Sequence, residues 1–505
     1  MRAITYYQVL TSYRYCFLLQ GMFGPDREPH PAVAEIKFLQ QPVAFSSLDG
    51  PLGEITPLLV AVTSSLKASV ALRITNRYDF RNLSHLSWMW ELTSDRSDKP
   101  IRSTSFELAD QDGSGGLVLK LDGAMKRVEL LEFTRPSQGN SYFLNIRGFL
   151  RENTTWADAC HTLVTQQFPV KFVFEESLPC KEAKSLKRSA KLEVTEDANT
   201  VEVFRDTDGG STPLVVVDKQ SGAIIAFAPS GKNVFNGAML PNFTRASTDN
   251  DKGGIELVID FMFPVKGFSH IFALLRGYED FSHDARWRTV ELDQRNPPRV
   301  VCQSVSVKEN KEEGVVDIVT ECSVLQAVKA GELFQVTMRY RIFNDGRVRI
   351  LQRLVPQSIL RRTPSLPRVG MNLVLDSSLF RIQYFGRGPG ENYPDRKSGS
   401  EMGVYGTTPL DMAYDKYIVP GENGSRSECE WMSFLSDEGD GVCIVANTDG
   451  AKQASFSSSA LLHSAQELHD ASHTHTCDLP KRLNGHDPIH VNVDHKIMGV
   501  GGDNR

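Results

Sequence analysis

The sequence predicts an all-β protein of at least two domains, and three observations carry that prediction. Helical periodicity is scarce, whereas short alternating apolar and polar segments punctuated by Gly, Asn and Asp recur along the chain. At 505 residues the chain exceeds what one ordinary core fills, so two or more domains are expected. Apolar residues make up 40% and charged residues 23%, the balance of a folded chain rather than a disordered one.

Taken in order, the first clear element is a short helix over Pro31 to Leu39, with proline suited to its first turn. Residues 46 to 175 then read as an immunoglobulin-like β-sandwich. The stretch from Glu175 to Lys191 contains Pro179, is rich in lysine and arginine and has neither periodicity, so it reads as a solvated interdomain linker. A larger sandwich runs from about residue 190 to the end. It opens on a meander: Val201 to Phe204, a turn at Asp208-Gly209-Gly210, Leu214 to Val217, a turn at Ser221-Gly222, and Ala223 to Phe227. Arg339 to Leu351 is the clearest hairpin. Tyr340 and Ile342 alternate with arginines, Asn344-Asp345-Gly346 supplies the turn, and Val348 and Ile350 alternate on the return, giving one core face and one wet face. A second helix is expected over Ser459 to His469, where Leu461, Leu462, Ala465 and Leu468 share a stripe.

Composition also excludes several classes. A net charge of -6 argues against a nucleic-acid footprint, which needs a clustered positive surface. Eight scattered cysteines contain no CxxC pair, so neither a zinc knuckle nor a disulfide scaffold is indicated, and reduced, mostly buried thiols are expected. No apolar run approaches the ~20 residues that span a bilayer, and Arg14 interrupts the start where a signal peptide would be apolar. The expected location is the cytoplasm, with no membrane partner.

Candidate chemistry is sparse. Glu391 with Asp395, or Asp249 with Asp251, are carboxylate pairs that acid/base work would need, but surface or turn carboxylates are the reading taken. The Gly386-Arg387-Gly388-Pro389-Gly390 loop lacks the following helix and Lys-Ser/Thr pair of a phosphate cradle, so its glycines are read as a tight exit from a strand over Ile382 to Phe385. His463, His469, His473, His475, His486, His490 and His495 cluster late, yet no ligand spacing accompanies them and no metal site is assigned.

Two blocks point further: Tyr384 to Gly399, YFGRGPGENYPDRKSG, and His486 to Arg505, HDPIHVNVDHKIMGVGGDNR. Together with Gly21 to Lys37, Thr75 to Leu92, the tract of Trp156, His161 and Gln166, Phe243 to Gly253, and Ile418 to Arg426, they occur in one order. That order resembles the C-terminal part of bacterial-type (LacZ-like) β-galactosidases of glycoside hydrolase family 2. The resemblance implies an immunoglobulin-like domain over 46–175, a linker over 176–190, and a galactose-mutarotase-like supersandwich over 191–505, truncated at its C-terminus. Thr75 to Leu92 resembles one strand of the first domain, and residues 21–45 a remnant of the exit from the catalytic barrel.

The first twenty residues match nothing in the family and are expected to be a gene-model artefact, since Cys16 to Gln20 is what a translated intron end ending in CAG would encode. Phe17 and Gln20 stand where the family has a phenylalanine and an asparagine lining the sugar and sodium subsite. The expected loss of the last strands implies an unpaired edge and poor solubility.

The resemblance implies that the complete enzyme hydrolyses terminal non-reducing β-D-galactosides, lactose among them, with retained configuration and with Mg and Na as helpers. Both catalytic glutamates of the family belong to the barrel, about 5–5.5 Å apart, and no acidic residue here matches either. This portion then shapes the active-site mouth and helps hold a homo-oligomer, with Gly502, Asp503 and Asn504 as the substrate-proximal loop. Two alternatives stay open: a non-catalytic small subunit complementing a separate barrel chain, and a free-standing carbohydrate-binding sandwich. The latter needs an exposed aromatic among Trp88, Trp90, Trp156, Trp287 and Trp431, of which at least three are expected in cores.

Overall fold

The computed structural model describes residues 22–24, 27–48, 57–108, 115–133, 141–174, 190–206, 212–252, 282–363, 365–417, 419–446, 454–471, 473 and 487–501. The architecture is all-β, with six sheets and a few short helices among those residues. Two compact units divide the chain: Met1–Leu186 with Phe385–Pro389 and Ser398–Tyr405, and Lys187–Tyr384 with Gly390–Lys397 and Gly406–Arg505.

The first unit holds helix α1 (Ala32–Leu39), strands β1 (Val43–Ser47), β2 (Leu58–Val62), β3 (Ser69–Asn76), β4 (Leu86–Ser94), β5 (Ser97–Phe106) and β6 (Gly115–Lys120), helix α2 (Met125–Phe133), and strands β7 (Tyr142–Leu150) and β8 (Thr162–Phe174). Its sheets are ordered β1-β3-β6 and β2-β8-β7-β4-β5. Strand β4 shows why they form a sandwich. Leu86, Trp88, Trp90 and Leu92 alternate inward and are buried, while Ser87, Met89 and Glu91 face the other way. Trp88 meets Phe45 edge-on at 5.5 Å between ring centroids and stacks on Phe106. Each fully buried Leu of this kind contributes about 1.5–3 kcal/mol over an exposed one, so the alternation itself specifies which face closes.

The second unit contains β9 (Leu192–Glu196), β10 (Thr200–Arg205), β11 (Val215–Asp218), β12 (Ile224–Phe227), β13 (Leu240–Asn242), helix α3 (His283–Thr289), β14 (Arg299–Asn310), β15 (Val315–Leu325), β16 (Glu332–Phe343), β17 (Val348–Pro356), β18 (Arg368–Leu375), β19 (Arg381–Gly388), β20 (Glu401–Thr407), helix α4 (Pro409–Met412), β21 (Arg426–Cys429), β22 (Trp431–Leu435), β23 (Gly441–Val445), β24 (Phe456–Leu461), helix α5 (Ala465–Asp470) and β25 (Ile489–Ile497). The first residues of β19 and the last of β20 belong to this unit, and the remainder of each to the other. Three sheets lie wholly within it: β12-β11-β10-β9, β14-β15-β16-β17 and β13-β18-β25-β24-β21.

The meander over β10 to β12 pairs as the alternation requires, with its Asp208-Gly210 turn outside the described residues. The β16–β17 hairpin has Tyr340 opposite Ile350 and Ile342 opposite Val348. Of its turn residues only Gly346 takes a positive φ, 91°. Gly346 N–H donates to Phe343 and Phe343 N–H to Arg347, the three-residue loop in which a type I turn ends on a left-handed glycine.

Several local expectations need correction. The helix expected over Ser459 to His469 is shared between two elements: β24 takes Ser459 to Leu461 by pairing with β25, and α5 begins only after Ser464, where Ser464 and Glu467 form a capping box. A sheet partner outweighs the apolar stripe there. Thr75 to Leu92 is the end of β3, a connection, and the start of β4, rather than one strand. Strand β19 continues through Gly386 to Gly388, so those glycines extend the strand instead of ending it at Phe385. The thiols are not mostly buried: of those described, Cys322 and Cys429 are buried, Cys302 is half-buried, and Cys160 and Cys443 are exposed. Cys160 lies in a surface loop and Cys443 on the short strand β23 at the end of its sheet.

Candidate functional site

Strand β25 ends at Ile497 and delivers the segment Met498 to Gly501, and side chains from two distant stretches converge on it. Arg245, 1% exposed, donates from Nη1 to the Met498 carbonyl at 2.6 Å and from Nη2 to the Gly499 carbonyl at 3.0 Å. Asn250 Nδ2 donates to the Val500 carbonyl at 2.6 Å. The Gly501 N–H donates to Asp395 Oδ2 at 2.6 Å. A Cβ on residue 499 would stand 2.4 Å from the Asp395 carboxyl carbon, so only glycine admits that carboxylate. Four consecutive residues are thus held by three side chains.

The clamp is itself braced. Arg245 forks onto Asp251, Nη2 to Oδ1 at 2.6 Å and Nε to Oδ2 at 3.2 Å, with both side chains buried. Asp251 also accepts from Thr248 N–H at 2.9 Å, and the Arg245 guanidinium lies 5.3 Å from the Trp287 ring centre. A bidentate pair of this kind fixes orientation as well as energy, which aims the remaining guanidinium N–H groups at the loop. Tyr393, fully buried, packs with Ile497 and Val500 beneath the same segment.

Beside it lies a second buried ionic cluster. Arg368, the first residue of β18, donates to Glu422 Oε1 at 2.9 Å and lies 3.3 Å from Asp494 Oδ1 on β25. Burial pushes the Asp494 carboxyl up to about 7, with Arg368 pulling it down and Glu422 adding to the rise. Its folded pKa therefore exceeds the ordinary 3.8, so the proton binds the folded chain more tightly. The sign follows: this contribution to stability is full below about pH 4 and is lost as pH rises through about 7. Urea midpoints for Asp494→Asn and the native chain, measured at intervals between those limits, should diverge with pH; a constant difference would contradict the assignment.

Glu391 is pinned by Arg396, by the Tyr417 hydroxyl at 2.8 Å and by Gly424 N–H at 2.5 Å. Neither Glu391 nor Asp251 is a surface carboxylate, since each is recruited inward by an arginine that offsets its desolvation. Glu391, Asp395 and Asp251 are separate anchors, each holding backbone or a guanidinium. Asp249 is exposed, as a turn carboxylate is expected to be.

Gly502, Asp503 and Asn504 lie outside the described residues, as do Phe17, Gln20, His475 and His486. Trp88, Trp90 and Trp287 are buried, Trp431 is partly so, and Trp156 is 60% exposed with its ring edge-on to His161. Among the described residues no three His, Cys, Asp or Glu side chains group to hold an ion. No described helix is long and apolar enough to cross a membrane.

Arg245, Asn250 and Asp494 lie in the motif stretches Phe243 to Gly253 and His486 to Arg505, which assign them no role, and Arg368 lies in none of those stretches. In β25 the local pattern hides Asp494: in Ile489 to Ile497 the alternation of Val491 and Val493 with Asn492 and Asp494 reads as one wet face, whereas Asn492 and Asp494 are both buried.

The fold and this site together define an all-β sandwich protein in which the glycine loop after β25 is clamped by Arg245, Asn250 and Asp395. The chain belongs to the β-galactosidase small chain family, whose model matches residues 210–505. A second model, β-galactosidase domain 4, matches residues 72–171. Similar curated proteins include the β-galactosidases of Pseudoalteromonas haloplanktis (26% identical, 96% of this chain, 40% of that protein), Priestia megaterium (24%, 96%, 38%) and Photobacterium profundum (26%, 96%, 39%). The chain therefore spans about two fifths of the length of these relatives.

Proposed function

We propose that this chain is the C-terminal portion of a glycoside hydrolase family 2 β-galactosidase that hydrolyses terminal non-reducing β-D-galactosides, lactose among them, in the cytoplasm. The observation that carries this reading is the clamp of Arg245, Asn250 and Asp395 on Met498 to Gly501, in a chain whose matched segment runs to Arg505. On this reading Gly502, Asp503 and Asn504, which follow the clamped segment in sequence, are the substrate-proximal residues, while a catalytic barrel, in cis or in trans, supplies the two glutamates. On this reading the domain limits 1–20, 21–45, 46–175, 176–190 and 191–505 stand, and the assembled enzyme is a homo-oligomer. The match to a small chain favours a second reading, a non-catalytic subunit complementing a separate barrel chain.

Sequencing the message on both sides of this reading frame separates the two. A continuous upstream barrel supports the first, an adjacent separate barrel gene the second, and a mature message with neither sinks both. In the assembled galactosidase, Asp395→Ala should raise KM roughly tenfold through a loosened loop, with kcat less affected, and Asp395→Asn, which still accepts from Gly501, should restore most of it. Equal KM values for all three would remove Asp395 from substrate positioning.

A further inference from the structure

We propose that Cys302 and Cys322 form a dithiol–disulfide couple, a modification site at which a small-molecule disulfide closes a cross-strand bridge between β14 and β15. The two residues stand directly opposite each other in the antiparallel register. Directly opposed antiparallel residues have Cα atoms about 4.5–5.5 Å apart, inside the ~4.4–6.8 Å that a disulfide needs. The backbone favours the closer arrangement. Cys302 N–H donates to the Gln220 carbonyl at 2.9 Å, not across to Cys322, and the register shifts immediately beyond Cys302. Side chains approach most closely at positions that do not exchange ladder hydrogen bonds. Cys302 Sγ donates to the Ser304 carbonyl at 3.2 Å, within its own strand.

The surroundings divide the labour between the two sulfurs. Cys322 is 4% exposed, under the Ser221-Gly222 turn, with Sγ 3.6 Å from the Ser221 carbonyl and 3.7 Å from Thr320 Oγ1. Cys302 is half-buried, so it is the sulfur an incoming reagent reaches. Burial raises both thiols, Cys322 to about 12, so little thiolate is present near neutral pH and exchange is slow.

The chemistry balances without further reagents. The Cys302 thiolate attacks one sulfur of a small disulfide such as oxidised glutathione, forming a mixed disulfide and expelling one glutathione thiolate. The Cys322 thiolate then attacks the Cys302 sulfur, forming the protein bridge and expelling the second. Two protein thiols are oxidised, one disulfide is reduced to two thiols, and the two protons leave with the glutathiones. The bridge closes a loop through the β14–β15 turn and ties both strands together where they support the β11–β12 turn.

The test incubates the folded full-length chain with oxidised glutathione at mildly alkaline pH, followed by peptide mapping under non-reducing conditions and thermal melting. The expected result is a Cys302–Cys322 linked peptide at least tenfold more abundant than any other cysteine pair, and a melting midpoint raised by about 5 °C. Both should vanish on adding dithiothreitol and be absent in Cys302→Ser. Cys322→Ser should stop at a glutathione on Cys302, which shows that the folded chain still reacts. The proposal is overturned if native Cys302 carries glutathione while Cys322 stays a free thiol, or if exposed Cys160 reacts while neither member of the pair does.

Discussion

Arg368→Met should lower the unfolding free energy by about 3–5 kcal/mol, among the largest losses of any single substitution in this chain. The arginine is fully buried between Glu422 and Asp494, whose side chains are 5% and 2% exposed. Methionine fills much of its volume, so the loss does not come from a cavity. It comes from Glu422 left in a low-dielectric interior without a countercharge, and from Asp494, whose pKa the arginine no longer pulls down, having to take up a proton. Urea unfolding of the full chain, followed by tryptophan fluorescence, measures it. A triple variant, Arg368→Met with Glu422→Gln and Asp494→Asn, should recover much of the loss because the stranded charges are gone. If the single variant unfolds at the native midpoint, the cluster contributes nothing and the buried-charge argument fails.

Arg245→Ala should cost a similar ~3–5 kcal/mol and, beyond that, release the terminal loop. It leaves the Asp251 carboxylate with only the Thr248 N–H among its described hydrogen-bond donors, and it removes the two donors that hold the Met498 and Gly499 carbonyls. Hydrogen bonds from a charged donor contribute about 1.5–3 kcal/mol each, so losing two should speed exchange of the Gly501 amide at least ~100-fold. Arg245→Lys should fall between, since an ammonium cannot both fork onto Asp251 and reach two carbonyls. Native-state hydrogen exchange read at Gly501 decides it. Unchanged protection in Arg245→Ala would mean that the loop is seated by Asp395 and Asn250 alone.

Much of this molecule is legible from its sequence, for reasons that differ by element. The β16–β17 hairpin is readable because period-two alternation and a turn containing glycine are both local, and each acts through residues within a few positions. Three of the five tryptophans lie in cores, as their size and apolarity favour. The carboxylates were harder to read. A sequence shows Glu391, Asp395, Asp249 and Asp251 as charges in turn-rich stretches, which are usually solvated. It does not show that Arg245 and Arg396 lie close enough to draw two of them inside. The helix expected over Ser459 to His469 gives way for a different reason: its stripe is local, while the strand that claims Ser459 to Leu461 is β25, some thirty residues onward.

The sequence by itself determined the all-β class and, through ordered motifs, the family to which the chain belongs. Those properties rest on backbone preference and side-chain alternation, which are written residue by residue. Tertiary structure alone decided that Arg245 and Asn250, some 250 positions before the terminal loop, and Asp395, 106 before it, meet at Met498 to Gly501. It also decided that Cys302 faces Cys322 across a register no spacing rule specifies. Register and long-range ion pairing depend on how sheets stack and which charges must share one dry interior, and that information exists only once the chain has folded.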